Sequence, residues 1–354
     1  MTRVAVVGAG VFGAATAREL HRRGHEVTLH EQYTPGTVRS GSGGDTRLVR
    51  TAHGENEWYA RLSRRAVELW RELERETSTD LLAFTGVAWL DTVGSTFAEA
   101  SMATLDRIGV PYERLTVDEA ARLFPALGGD DLTGVLFEPE AGLIRARRAT
   151  RALASAVPLE IGNVTPQAPP KADVVVWACG AWLPKAFPEL VAIEVVRRDV
   201  YFFGVDGAWA RTPGFCEYDG PFYGHGELGG LGMKVAWDGG SVAFDPDGER
   251  LPEEETLARV RAYVARRFPT LADAPLIGSR VCQYELTGDG HFLVDRHPDR
   301  DGWWLLGGAS GHGFKHGPAL AEYVADCIEG VRDPEPFHRL GPRVGSAGLR
   351  TAGR

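Results

Sequence analysis

The stretch from Val4 to Glu31, VAVVGAGVFGAATARELHRRGHEVTLHE, constrains the fold more than any other part of this 354-residue chain. It opens on an unbroken apolar run, the pattern of a parallel strand buried on both faces. Gly8, Gly10 and Gly13 follow in G-x-G-x-x-G spacing, then an amphipathic helix through Leu20 and a second strand ending at Glu31. Gly8 permits a tight turn, Gly10 lets the backbone approach a pyrophosphate, and Gly13 lets the helix pack closely on the strand. The helix N-terminus then faces the phosphates. Glu31, 18 residues after Gly13, stands where a carboxylate accepts hydrogen bonds from the ribose hydroxyls. Strand, glycines, helix, strand and acid in that order predict dinucleotide binding. The motif leaves NAD and FAD open, while the acid disfavours the 2′-phosphate of NADP.

Length and charge narrow the rest. A chain of 354 residues exceeds one ordinary core and suggests two domains, or one large α/β domain with insertions. A net charge of −9 argues against nucleic acid or an anionic membrane surface as partner. The basic piece RARRATR, Arg145 to Arg151, reads as the solvated face of a helix. Cys179, Cys216, Cys282 and Cys327 show no metal-ligand spacing, and no metal is expected. A chain this long needs no disulfide staples, so a reducing, cytoplasmic location is expected. The first strand leaves no room for a signal peptide, and no uncharged apolar run reaches the roughly 20 residues of a membrane span. Only four lysines, Lys171, Lys185, Lys234 and Lys315, stand against 35 arginines (39 basic residues less four), so each lysine merits separate inspection.

After the acid comes a small-residue loop, SGSGGDTRLVRTAHGE, with Arg47 and Arg50 three residues apart. The segment beyond it, NEWYARLSRRAVELWRELERE, has apolar residues at Tyr59, Leu62, Ala66, Leu69, Trp70 and Leu73, the spacing of an amphipathic helix. An NAD enzyme has no evident use for this loop. Further elements are TGVAWL (85–90), EPEAGLI (138–144), VVVWACGAW (174–182), FYG with GLGMK (222–234), VCQY (281–284) and GASGHGFK (308–315).

With GAGVFGAA, these elements resemble, in order and across almost the whole chain, the D-amino-acid-oxidase superfamily of flavoproteins, and within it the monomeric sarcosine oxidase family. The resemblance implies an α/β fold, α+β overall, in which a Rossmann-like FAD domain of glutathione-reductase type interleaves with a substrate domain on a mixed β-sheet. Residues 1–83, 142–190 and 283–340 are assigned to the FAD domain and 84–141 and 191–282 to the substrate domain. Residues 341–354, rich in glycine, read as a flexible tail.

The resemblance also assigns roles. Cys282 matches the cysteine that carries the flavin through a thioether, although a buried strand cysteine beside noncovalent FAD is the bland alternative. Lys234 matches the lysine over the flavin face that promotes oxygen reduction through a fixed positive charge. Arg47 matches the arginine packed beside the flavin ring. Arg50 and Lys315 match the pair that binds the substrate carboxylate, one as a planar fork and one as a point charge. Ser42, Thr46, Gly180, Trp182, Gly311 and Gly313 are further cofactor contacts, the last two otherwise an ordinary turn before a helix near Pro318. A cationic pocket disfavours an ammonium, so a bound amino acid presents the neutral amine whose lone pair assists hydride departure.

Tyr223 and Tyr284 match aromatic residues near the family's substrate pocket, or else fill core space. Gly43 stands where the sarcosine-oxidizing enzymes carry a histidine next to the flavin. Asp238, in VAWDGG, replaces a histidine near the substrate. It either faces a substrate nitrogen, as in family members oxidizing cyclic imino acids, or is an exposed turn residue. The connection between Ala156 and Ala172 is short and Pro-rich where relatives carry a longer meander. The expectation is a monomeric FAD-dependent oxidase of a small secondary amino acid of the sarcosine type, giving an imine and reducing O2 to H2O2. The alternatives are an oxidase of a cyclic imino acid (proline, pipecolate or piperideine carboxylate type), a flavin dehydrogenase avoiding oxygen, and a flavin-bearing subunit of a larger complex.

Overall fold

The apolar run at the N-terminus forms the strand Arg3–Val7, at the centre of a six-stranded sheet in a computed structural model that describes residues 1–343 and Leu349. It pairs in parallel with Val174–Trp177 on one side and Glu26–Glu31 on the other. Trp303–Gly307 and Leu159–Ile161 extend the parallel run, and Leu293–Arg296 closes one edge antiparallel. Val4 and Val6 face a core shared with the helices Val11–Arg22, Ala146–Ala154 and Gly317–Ile328, whereas Val7 faces Trp177, Leu183 and Phe187. Burial on both faces is why this strand reads as continuous valine and alanine rather than alternation.

The glycines answer to sterics. Gly8 has φ +107°, and a Cβ on it would sit 2.4 Å from the Ala178 carbonyl oxygen. A Cβ on Gly13 would lie 1.9 Å from the Gly8 carbonyl oxygen, so helix and strand approach as the spacing predicts.

The helix expected beyond the small-residue loop runs Glu57–Thr77, with the Asn56 side chain accepting a hydrogen bond from Tyr59 N at 3.3 Å. Tyr59, Ala66, Trp70 and Leu73 are buried as expected. Leu62 and Leu69 are only partly covered, and the small Ala60 and Ser63 take the buried positions instead, letting the helix lie close to its neighbours. In Ala146–Ala154, Arg148 and Arg151 are exposed while Ala149, Thr150 and Leu153 are buried, as a solvated basic face requires.

The second sheet has eight strands, in the order Leu276–Thr287, Ile193–Phe203, Met233–Trp237, Phe222–His225, Gly214–Glu217, Val87–Thr92, Leu132–Glu138 and Glu113–Leu115. Gly214–Glu217 pairs with Val87–Thr92 in parallel and the other neighbours are antiparallel, so the sheet is mixed. The helix Glu254–Arg267 packs on it through Val260, Tyr263 and Val264. A small sheet of Arg47–Val49, Gly142–Ile144 and Leu82–Ala83 fixes the loop carrying Arg47 and Arg50. Within the expected flexible tail, Arg343 is tied to Asp289 at 3.1 Å and Leu349 is buried; residues 344–348 and 350–354 lie outside the described residues. No helix among the described residues is long and apolar enough to cross a membrane.

Candidate active site

A cavity of about 440 Å³ is lined by residues from both large sheets, among them Gly8, Gly10, Ser42, Glu31, Gly180, Trp182, Gly311 and Gly313. Glu31, at the end of its strand, is held by the Ala9 and Tyr33 amides at 2.8 and 2.9 Å. Ser42 Oγ accepts from Val11 N at 2.8 Å, at the mouth of the first helix. A Cβ on Gly10 would stand 3.2 Å from that hydroxyl. Bare backbone, a helix N-terminus and a terminal acid on one cavity fit a dinucleotide. The short connection after Ala156 reaches the same wall through residues 162–167. Trp182 donates from Nε1 to Asp247 at 2.8 Å, tying the GAW turn to the segment between the strand Met233–Trp237 and the helix Glu254–Arg267.

Arg50 and Lys315 line the same cavity. The Arg50 guanidinium carbon lies 4.6 Å over the Trp89 ring and one nitrogen donates to the Ala52 carbonyl. Lys315 Nζ donates to the His312 carbonyl at 2.7 Å, and the Lys315 carbonyl accepts from Trp70 Nε1 at 2.7 Å. Among the described residues neither cation forms an ion pair. Burial pushes the Arg50 pKa down and, with Arg50 alongside, holds that of Lys315 well below the ordinary lysine range. A buried lysine and a half-buried arginine on one wall, neither in an ion pair among the described residues, suit an anion.

Tyr223 and Tyr284 also line the cavity, their hydroxyls 3.2 Å apart. Asp238 is on the wall as well, rather than in an exposed turn. Its carboxylate is 3.3 Å from Arg198 Nε, whose guanidinium carbon lies 5.2 Å over the Tyr284 ring. Arg198 is buried, so the acid enters the pocket already part-neutralised.

Arg47 lines the cavity, donating to the Gly41 and Gly43 carbonyls at 2.9 and 2.7 Å and to Cys282 Sγ at 3.7 Å. Cys282, Lys234, Thr46 and Gly13 do not line the cavity, but Lys234 and Cys282 adjoin residues that do, Tyr223 and Arg47. Lys234 Nζ donates to the Thr46 carbonyl at 3.0 Å, and Thr46 Oγ1 bonds His225 Nε2 at 2.7 Å. Burial, followed by the Arg47 charge, lowers the Lys234 pKa to about 7.

Several residues went unread in the sequence. Glu138 is buried and accepts from Thr51 N, Ala52 N and Trp89 Nε1 at 2.7, 3.1 and 2.9 Å, setting both the loop of Arg50 and the ring beneath it. Its segment, EPEAGLI, was visible, but nothing in it signals a hydrogen-bonding hub. Glu285, two residues past VCQ, lines the cavity, and burial raises its pKa to about 7. Cys179 and Cys216, expected as core, also line it, with thiols that burial pushes up to about 12. Gly43 has a steric reason: a Cβ would meet the Thr37 carbonyl oxygen at 2.2 Å and Val38 Cα at 2.9 Å.

The family described as FAD dependent oxidoreductase matches residues 3–327. The monomeric sarcosine oxidase of Bacillus sp. (strain B-0618) is 30% identical over 91% of this chain and 90% of its own. The N-methyl-L-tryptophan oxidase of Escherichia coli (strain K12 / DH10B) is 27% identical over 94% and 97%. Among solved structures, the L-proline dehydrogenase from P. horikoshii superposes with a TM-score of 0.81 at 22% identity, covering 96% of each chain.

Proposed function

The chain belongs to the FAD dependent oxidoreductase family, is an FAD-dependent amine or amino-acid oxidase in type, and on that premise we propose that it oxidizes the C–N bond of a small secondary amino acid, of the sarcosine class, to an imine. The glycine cradle, Glu31 and the adjoining cavity fit FAD. When bound, FAD would supply the acceptor for the hydride leaving the carbon next to nitrogen. The observation that carries the substrate reading is the pair on the cavity wall, Lys315 buried and Arg50 half-buried, neither in an ion pair with a carboxylate among the described residues. Arg50 takes two oxygens of a carboxylate and Lys315 one, which fixes the amine end toward Tyr223, Tyr284 and Asp238. The same charges disfavour an ammonium, so the amine is held neutral without a strong base.

Lys234 supports O2 as electron acceptor and H2O2 as product, because a cation near the reacting oxygen stabilises developing negative charge. Cys282 beside Arg47 supports a covalent flavin thioether, formed from a thiolate. The two curated relatives act, by their names, on sarcosine and N-methyl-L-tryptophan, which supports an N-methyl amino acid. Asp238 on the wall supports a second reading, a cyclic imino acid, whose ring nitrogen the carboxylate would face. The chain is read as a monomer, as the printed name of the Bacillus relative supports, working in the cytoplasm, which four unpaired cysteines support.

The test is anaerobic mixing of purified holoenzyme with a panel of amino acids while flavin absorbance is followed. Bleaching by N-methyl amino acids supports the first reading, and bleaching confined to cyclic imino acids the second. No bleaching by any carboxylate-bearing amine would remove Arg50 and Lys315 from their roles.

A further inference from the structure

Beside this pocket, His53, His312 and His316 converge with ring centroids 5.1 to 5.9 Å apart. One nitrogen from each ring lies within 4.8 Å of the other two. His53 Nδ1 is 2.8 Å from the Thr51 carbonyl and His312 Nε2 is 3.0 Å from the Gly290 carbonyl. A carbonyl only accepts, so both nitrogens carry the proton and leave bare lone pairs on His53 Nε2 and His312 Nδ1. His316 Nδ1 lies 3.4 Å from Ser63 Oγ. The three remaining nitrogens, His53 Nε2, His312 Nδ1 and His316 Nε2, are buried and have no hydrogen-bond partner.

Buried acceptors without a donor are costly. His53 and His312 cannot relieve one another, since both offer lone pairs, and His316 could donate to only one of them. A Lewis acid at the centre satisfies all three. Imidazoles anchored through the far nitrogen to a carbonyl are also what metal-binding histidines show, because that bond fixes tautomer and ring orientation.

We propose that His53, His312 and His316 form a binding site for a borderline transition-metal dication such as Zn2+ or Co2+. Three neutral imidazoles with no carboxylate or thiolate select this class over Mg2+ and Ca2+. Tetrahedral coordination at Zn–N distances of about 2.0–2.1 Å brings the nitrogens to roughly 3.3 Å from one another, so the rings close on the ion. The fourth position is left to water or an anion, and His53 and His312 also line the cavity. Arg50 and Lys315 oppose a dication here, since their charges already act on His53. The site is therefore weaker than a structural zinc site and gains from an anion in its fourth position. His312 and His316 flank Lys315 in the chain, so the bound ion immobilises the turn that presents that lysine.

The test is titration of chelator-treated holoenzyme with Co2+, followed through d–d absorption to the red of the flavin bands. The expected result is one Co2+ per chain with tetrahedral band intensity, displaced by Zn2+. His316→Phe and His53→Phe keep ring volume, and flavin absorbance and circular dichroism report whether they fold. Changes outside the ligands typically cost 10–100-fold, so each ligand loss is expected to weaken Co2+ binding at least about 100-fold. His338→Phe, buried in the same aromatic cluster but outside the trio, is expected to leave binding intact. Absence of tetrahedral bands in the native holoenzyme, or their survival in a folded His316→Phe, overturns the proposal.

Discussion

Glu138 accepts a hydrogen bond from the indole of Trp89 at 2.9 Å, and the guanidinium of Arg50 rests on the other side of that relationship, 4.6 Å over the Trp89 ring. The same carboxylate receives the amides of Thr51 and Ala52. One buried acid thus sets both the platform and the backbone of the arginine assigned to the substrate.

Glu138→Gln keeps the volume but cannot accept all three hydrogen bonds with charge. Hydrogen bonds to charged groups contribute roughly 1.5–3 kcal/mol. KM for the carboxylate substrate is expected to rise roughly tenfold or more while kcat changes severalfold at most. Steady-state kinetics check the split; an equal fall in kcat would mean that Glu138 acts on the reacting atoms rather than through Arg50.

Lys234→Met removes the cation that adjoins Tyr223 of the cavity lining. By the scale of a lost electrostatic stabiliser, the rate of flavin reoxidation by O2 is expected to fall about 10²–10³-fold. Anaerobic flavin reduction by substrate should stay within a few-fold. Stopped-flow measurements of the two half-reactions separate these outcomes.

Lys234 also leaves a signature in folding. Its pKa is about 7 in the folded chain against 10.5 ordinarily, so between those values the unfolded chain holds a proton that the folded one has lost. Stability from this group therefore rises with pH across that window. Urea unfolding of the apoprotein should show the rise in the wild type relative to Lys234→Met, with the difference growing from pH 7 toward pH 10.

Glu285 carries the opposite sign. Its pKa is raised from 4.5 to about 7, so the folded chain retains a proton that the unfolded chain has released. Its contribution falls as pH rises from about 4.5 to about 7, by up to about 3 kcal/mol. Glu285→Gln lacks this loss and should exceed the wild type in stability at pH 8 by more than at pH 4. Equal differences at both pH values would show that folding leaves the Glu285 pKa where it is in the unfolded chain.

For Cys282, acid precipitation of the holoenzyme is expected to leave flavin with the protein pellet. Cys282→Ser should release it to the supernatant. Free flavin from the wild type would make the linkage noncovalent.

The first βαβ unit was legible because its constraints are local: strand, glycines, helix and acid follow one another, and each glycine meets a neighbour a few residues or one strand away. The long helix was legible for the same reason, and only Leu62 and Leu69 exchanged places with Ala60 and Ser63. The rest depends on residues distant in sequence. Arg198 reaches Asp238 across 40 positions and Glu138 reaches Trp89 across 49. The histidine trio joins positions 53, 312 and 316, and no spacing announces it. The strand Leu276–Thr287 runs straight through residue 282, so a division of the chain there has no local mark either.

The close packing of Gly43 against Thr37 and Val38 bears on any attempt to give this loop the histidine that the resemblance to sarcosine-oxidizing enzymes implies for them at this place. Grafting their histidine onto position 43 would drive its first side-chain carbon into backbone, which cannot swing aside as a side chain can. Conversion has to begin with the 37–38 segment, and a lone swap yields a damaged loop instead of a borrowed chemistry.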